Sequence, residues 1–202
     1  MSGVKTFRIA VWAAIALLCG ILIGFSGYLP GTGSKESIGT GTARVGGPFQ
    51  LTAHSGEAIN NATLAGKPYL VFCGFTHCPD LCPTTLFELT DLMAEMGSAA
   101  DRFTPLFITV DPERDTQEVL SQYMTAFDQR IVALRGNQAE MDATVKAFAA
   151  FYRKVPIDGG GYTIDHTAGI ILMDAKGNFA GTLDIHEPRA TVLAKLQRLV
   201  GA

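Results

Sequence analysis

The chain has 202 residues, 48% hydrophobic and 17% charged, with 16 Lys and Arg against 19 Asp and Glu for a formal net charge of −3. So much apolar material with so little net charge excludes a disordered chain. The mildly acidic balance, with no basic stripe along the sequence, excludes a nucleic-acid binder.

The mean hydropathy of +0.22 is high and has a local source. Ile9–Tyr28 (IAVWAAIALLCGILIGFSGY) carries no charge over its whole length. About 20 apolar residues rising about 1.5 Å each match a hydrocarbon core of about 30 Å. Lys5 and Arg8 precede the run, so residues 1–8 are expected in the cytoplasm and the remainder across the membrane. A cleaved signal peptide would have a shorter apolar core and a small-x-small cleavage site, for which Gly24-Phe25-Ser26 is a poor candidate. The sequence therefore predicts a transmembrane anchor over 9–28, with Trp12 and Tyr28 at its interfaces and Cys19 as apolar filling. No Arg- and Ser-rich transit segment precedes it, which points to a bacterial inner membrane with the C-terminal domain in the periplasm. Residues 29–47, rich in Gly, Ser and Thr, read as a flexible linker, and a single domain follows over 48–202.

Within that domain the apolar period alternates between strand and helix. Phe49–Thr52 and Ala58–Thr63 read as a short hairpin. Tyr69–Phe75 is continuously apolar, as in a strand covered on both faces. Helical spacing follows over Pro83–Met96, then a second buried strand over Phe103–Val110 and a helix over Thr116–Phe127. Ile131–Leu134 reads as a short strand. Gln138–Phe151 reads as a helix, with Met141, Val145, Phe148 and Tyr152 in step. Thr167–Met173 and Phe179–Asp184 flank the turn Asp174-Ala175-Lys176-Gly177-Asn178 as a hairpin, and Pro188–Val200 closes the chain as a helix. This order predicts an α/β fold of the thioredoxin-like type: a mixed sheet with helices on both faces, a leading hairpin, and an inserted helix and strand.

The chemistry concentrates in Cys73-Gly74-Phe75-Thr76-His77-Cys78-Pro79-Asp80-Leu81-Cys82-Pro83. Cys78 and Cys82 sit between a buried strand and a helix, where α/β sheets present ligands. Pro83 is a favoured first helical residue, so Cys82 is expected near the positive end of a helix dipole, which favours thiolate. The pair suits disulfide exchange, soft-metal binding or a structural disulfide. Cys73, mid-strand, is expected in the core. His166 directly precedes a strand whose leading loop faces the dithiol in thioredoxin-type sheets, where reductases of that type carry a proline; here the nearest preceding proline is Pro156. Two thiolates and an imidazole form a soft, three-ligand set without a convincing fourth member, which points to copper and not to structural zinc. His77 is a lesser ligand candidate, and His54 and His186 are expected in solvent. Asp111, at the end of the second buried strand, is a candidate acceptor orienting a site loop, while Asp115 or Thr116 is expected to cap the next helix.

The motifs GFTHCPDLCP, VDPERDT and DHTAGIILMDAKGNF, in this order behind an N-terminal span, resemble the SCO/SenC family of copper-binding assembly proteins over residues 48–202. The resemblance implies that Cys78, Cys82 and His166 are copper ligands, one ion per chain as Cu(I) or Cu(II), with Asp111 at an acidic position beside the site. It further implies a membrane-anchored copper chaperone acting on the CuA site of cytochrome c oxidase subunit II, with other copper chaperones as further partners. The alternative within the family is a thiol–disulfide reductase using Cys78 and Cys82 on the CuA-site cysteines. A peroxidase and a copper or redox sensor are further readings, the first lacking any accompanying peroxidase pattern. Phe75 stands where the family more often has Tyr.

Overall fold

The computed structural model describes residues 45–201 and, from the N-terminal segment, residues 3, 8, 11–13, 15, 17, 18, 20 and 21. The chain divides into two compact units, Met1–Thr42 and Ala43–Ala202. The described residues of the first are helical and exposed, Trp12 among them. Most of the expected anchor over 9–28 and of the linker over 29–47, Cys19 and Tyr28 included, lies outside the described residues. Among those described, no helix is long and apolar enough to cross a membrane.

The second unit is built on β3 (Tyr69–Gly74), every residue of which is buried. A strand covered on both faces has no polar side to alternate with, which explains the unbroken apolar run. β3 pairs in parallel with β4 (Thr104–Thr109), and β4 in parallel with β5 (Val132–Arg135). On the other side β3 pairs antiparallel with β8 (Ile170–Met173), which pairs antiparallel with β9 (Phe179–Leu183). β1 (Gln50–Ala53) and β2 (Ala58–Asn60) form the leading hairpin on the far edge, completing the order β2-β1-β5-β4-β3-β8-β9. Phe72, Phe107, Leu70, Leu106 and Ile108 fill the centre of the sheet with less than 3% exposure each. The α/β arrangement is thus the mixed, thioredoxin-like one expected from the sequence.

Four helices of this unit connect or close the strands: α1 (Leu81–Met96), α2 (Gln117–Met124), α3 (Gln138–Ala147) and α4 (Arg189–Leu199). Thr116 caps α2 by accepting the Val119 N–H, and Asn137 with Glu140 forms a reciprocal capping box on α3. A 3₁₀ turn over Gly97–Arg102, unmarked in the sequence pattern, leads into β4. The unit is already packed before Pro48, since Val45 lies against the core and the Gly46 N–H donates to the Ala147 carbonyl at 2.8 Å.

One segment differs in kind from the sequence expectation. The helix read over 138–151 stops at Ala147, and Ala149 takes a positive φ of 51°. Tyr152 then opens β6 (Tyr152–Pro156), which pairs antiparallel with β7 (Tyr162–His166) in a separate two-stranded sheet. The apolar spacing through Phe148 is correctly helical, but it places Tyr152 in step by coincidence. The strand read from Thr167 starts three residues later, at Ile170.

Candidate metal centre

β3 ends at Gly74, and the chain reaches α1 through Phe75–Asp80. Cys78 lies in this turn, half-buried, and Cys82 is the second residue of α1, fully buried. The Cys82 N–H donates to Cys78 Sγ at 3.4 Å, so the first turn of the helix is closed by the other thiol. Gly74 is required here by contact: a Cβ at that position would lie 2.8 Å from Cys82 Sγ and 2.6 Å from the Phe107 ring.

The third group arrives from the separate hairpin. His166, the last residue of β7, stands edge-on to Phe72 and Phe75 with ring centroids 6.2 and 5.9 Å away. Its Nδ1 is 3.0 Å from the Thr167 carbonyl, a contact that fixes the proton on Nδ1 and leaves the Nε2 lone pair free. Nε2 lies 3.4 Å from Cys82 Sγ. The donor atoms of Cys78, Cys82 and His166 all lie within 4.8 Å of one another, which one metal ion can span. Two soft sulfurs and one imidazole nitrogen fit a copper ion better than hard, oxygen-seeking cations.

The electrostatics correct one sequence expectation. Burial pushes the Cys82 thiol well above its usual range, overriding the helix end that was expected to favour thiolate. Burial likewise lowers the His166 pKa, keeping the imidazole neutral and ready as a ligand. With the thiol raised in this way, binding of a metal by Cys82 releases a proton. Cys73 behaves as expected for the core, 3% exposed with its thiol pushed up to about 12 by burial.

Two buried carboxylates divide the support of the site. Of the two capping candidates Thr116 caps α2, while Asp115 is fully buried and turned to the dithiol turn. Its oxygens accept the Thr76 N–H at 3.1 Å, the Thr76 hydroxyl at 2.6 Å and the Thr109 hydroxyl. Asp111, equally buried, serves the other half. It accepts the Tyr162 hydroxyl at 2.8 Å and the Arg114 Nε–H. Arg114 lies over the Tyr162 ring at 3.9 Å and donates to the Tyr162 carbonyl at 3.0 Å, while Lys154 stands 4.5 Å from the same ring. These contacts latch the β6–β7 hairpin, and His166 with it, to the loop after β4.

The other candidates fall outside the cluster. His77 is exposed and directed to Thr76 and Asp115, its Nδ1 3.1 Å from the Thr76 hydroxyl and 3.8 Å from Asp115 Oδ1. His186 is exposed as expected, whereas His54 is half-buried, its Nδ1 accepting the Ala133 N–H at 3.1 Å. Sequence reasoning missed Thr76, Arg114, Tyr162 and Tyr123. The Tyr123 hydroxyl is buried without a hydrogen-bond partner, and its pKa is raised by burial and then by the charges of Cys82 and Cys78. Its place on the apolar side of α2 gave no hint of a polar task.

Comparison with known proteins agrees with this arrangement. The SCO1/SenC family model matches residues 38–201. The chain is 38% identical over 138 residues to the SCO2-like protein RP587 of Rickettsia prowazekii, covering 67% of each. It is 35% identical over 159 residues to the mitochondrial SCO1 homolog of Homo sapiens, covering 77% of this chain and 53% of that one. Among solved structures, Bradyrhizobium japonicum ScoI with copper bound superimposes with a TM-score of 0.72 at 42% identity, over 77% of this chain and 99% of the other. On a family match spanning most of its length, this chain belongs to the SCO1/SenC family.

Proposed function

We propose that the protein is a membrane-anchored copper chaperone that carries one copper ion on Cys78, Cys82 and His166. The observation that carries this reading is the convergence of two thiols and an Nε2 lone pair within 4.8 Å at the carboxyl edge of the sheet. Copper is cargo here: a three-donor site leaves a coordination position through which a partner's own thiols can enter. His166 is held in its ligating tautomer by the Thr167 carbonyl, Asp115 fixes the dithiol turn, and Asp111 acts through Tyr162 on the hairpin. The acceptor we infer is the CuA site of cytochrome c oxidase subunit II. Residues 9–28 would anchor the chain in the inner membrane and 29–47 would tether the domain in the periplasm, raising its effective concentration at a membrane-bound acceptor.

The test is a titration of the reduced domain with Cu(I) and Cu(II), anaerobically, beside His166→Ala. One copper per chain with a Cu(II)–thiolate absorption, sharply weakened in the variant, is the expected result. Binding that ignores the substitution would remove the basis of the proposal. A second reading, a thiol–disulfide reductase, is favoured by the asymmetry of the pair, since Cys78 is accessible and Cys82 is buried behind it, as for an attacking and a resolving thiol. Reduction of a partner disulfide that persists without His166 and without copper would select it.

A further inference from the structure

The domain carries a basic face at the end of the sheet remote from the ligands. Half of the Lys and Arg side chains between residues 45 and 201 make ion pairs. Of those that do not, Lys67, Arg102, Lys176 and Arg198 come together from four separate stretches of chain. Lys67, Arg102 and Arg198 line one groove with Ala175, and Lys176 lines the adjoining one, which Ala175 shares. The Gly66 N–H donates to the Ala175 carbonyl at 2.9 Å, which ties the two rims together. All four cations are exposed. Of the carboxylates beside them one is neutralised and one, Asp174, keeps its charge, so four cations face a single unneutralised carboxylate. Asp101 pairs with Arg130 at 2.6 Å, and Asp174 accepts the N–H groups of Lys176 and Asn178 at 2.8 Å each.

Two further facts give the face an orientation. Gly46 and Gly47, where the chain enters the domain, line the same groove as Lys176. β3 starts beside this face at Tyr69 and runs to Gly74, about 17 Å away at about 3.3 Å per residue, before the dithiol turn. At the ligand end the cations Arg153 and Lys154 are neutralised by Asp165 and Glu113, while Asp80, two residues from both Cys78 and Cys82, is exposed. An anionic surface is thus attracted to one pole and not to the other.

We propose that Lys67, Arg102, Lys176 and Arg198 form a docking surface for anionic phospholipid headgroups. Docking there turns the point of chain entry toward the membrane and the three ligands away from it, toward a partner. The inference rests on the proposed membrane attachment and is independent of what the ligands bind. Each Lys or Arg held near an anionic bilayer is worth about a fivefold change in partitioning.

The test uses the compact unit 43–202, which has its own core, and measures co-sedimentation with vesicles of phosphatidylcholine alone or mixed with phosphatidylglycerol. Binding only to the mixed vesicles, screened by added salt, is expected. The double variant Lys67→Glu/Arg198→Glu should lose at least about 25-fold in partitioning, while Arg153→Glu, at an exposed cation of the separate β6–β7 hairpin, should lose far less. Equal partitioning to both vesicle types, or an equal loss in Arg153→Glu, would overturn the proposal. Copper stoichiometry of the double variant is read in parallel: its retention shows an intact domain, so that failure to dock and failure to bind copper are told apart.

Discussion

Replacing Asp115 is the sharpest test of how the site is held. The carboxylate is fully buried and accepts hydrogen bonds from the Thr76 amide, the Thr76 hydroxyl and the Thr109 hydroxyl. Asp115→Ala strands the Thr109 hydroxyl in the core, and a buried donor left without an acceptor costs about 1–3 kcal/mol. Thr76 is half-buried, so its two donors regain water in part, and removing a buried charge returns some desolvation energy. The net loss expected is about 2–4 kcal/mol. Asp115→Asn keeps the shape and one acceptor oxygen but turns an amide N–H toward a donor, so about half that loss is expected. Urea unfolding of the reduced, metal-free domain measures both. Because Thr76 is two residues from Cys78, the Ala variant should also bind copper about 10–100-fold more weakly under conditions where it is fully folded, the usual effect of losing a partner behind a ligand. If both variants unfold within about 0.5 kcal/mol of the parent and bind copper unchanged, Asp115 does not position the dithiol turn and the account given of it is wrong.

Gly74→Ala should displace Cys82 Sγ, which a new Cβ would approach to 2.8 Å, so the variant should lose the Cu(II)–thiolate absorption while retaining the circular dichroism of the fold. Tyr162→Phe removes the hydroxyl bonded to Asp111 but keeps the ring between Arg114 and Lys154. A stability loss of about 1 kcal/mol is expected, with a larger one in Tyr162→Ala; equal losses would show that the ring contributes nothing. For pH, the Cys73 thiol is raised on folding to about 12, so the folded chain holds its proton more tightly than the unfolded chain. Its stabilising contribution is complete below the ordinary thiol pKa of about 8.5 and is lost at about 1.4 kcal/mol per unit as pH rises toward the folded value. Cys73→Ala should flatten the stability-versus-pH curve by that slope; an unchanged slope would mean that the thiol is not buried as described.

The dithiol was legible because its signals are local: an apolar run, two cysteines and a proline in one short stretch. His166 was placed correctly in space for an incomplete reason, since it was read as part of a loop and is the last residue of β7. The hairpin itself was masked by Tyr152, which continues the 3- and 4-residue spacing of α3 past the point where Ala149 turns the chain. A positive φ at alanine has no signature in sequence. The alternation in Tyr162-Thr163-Ile164-Asp165-His166 and the triplet Gly159–Gly161 were present and mark a strand and its turn. Asp115 and Thr116 are alternative caps in the sequence; Thr116 takes that role, and only the fold reveals that the Asp115 carboxylate spans 39 residues to Thr76. The expected Cys82 thiolate failed for a matter of magnitude, since a helix end is a modest field and complete burial a large penalty.

The division of the ligands between α1 and a hairpin outside the main sheet has a topological consequence. Cys82 and His166 are 84 residues apart, so an ion shared between them closes most of the domain into a loop. A cross-link over a loop of that order removes about 4–5 kcal/mol of chain entropy from the unfolded state. Binding of an ion then acts as a staple and its loss as the staple's removal. The strands that gain most are β6 and β7, which pair with each other and not with the seven-stranded sheet. Amide exchange in that hairpin should therefore slow when an ion is bound and quicken when it leaves, so occupancy of the site is written in the dynamics of an element that carries one of its ligands.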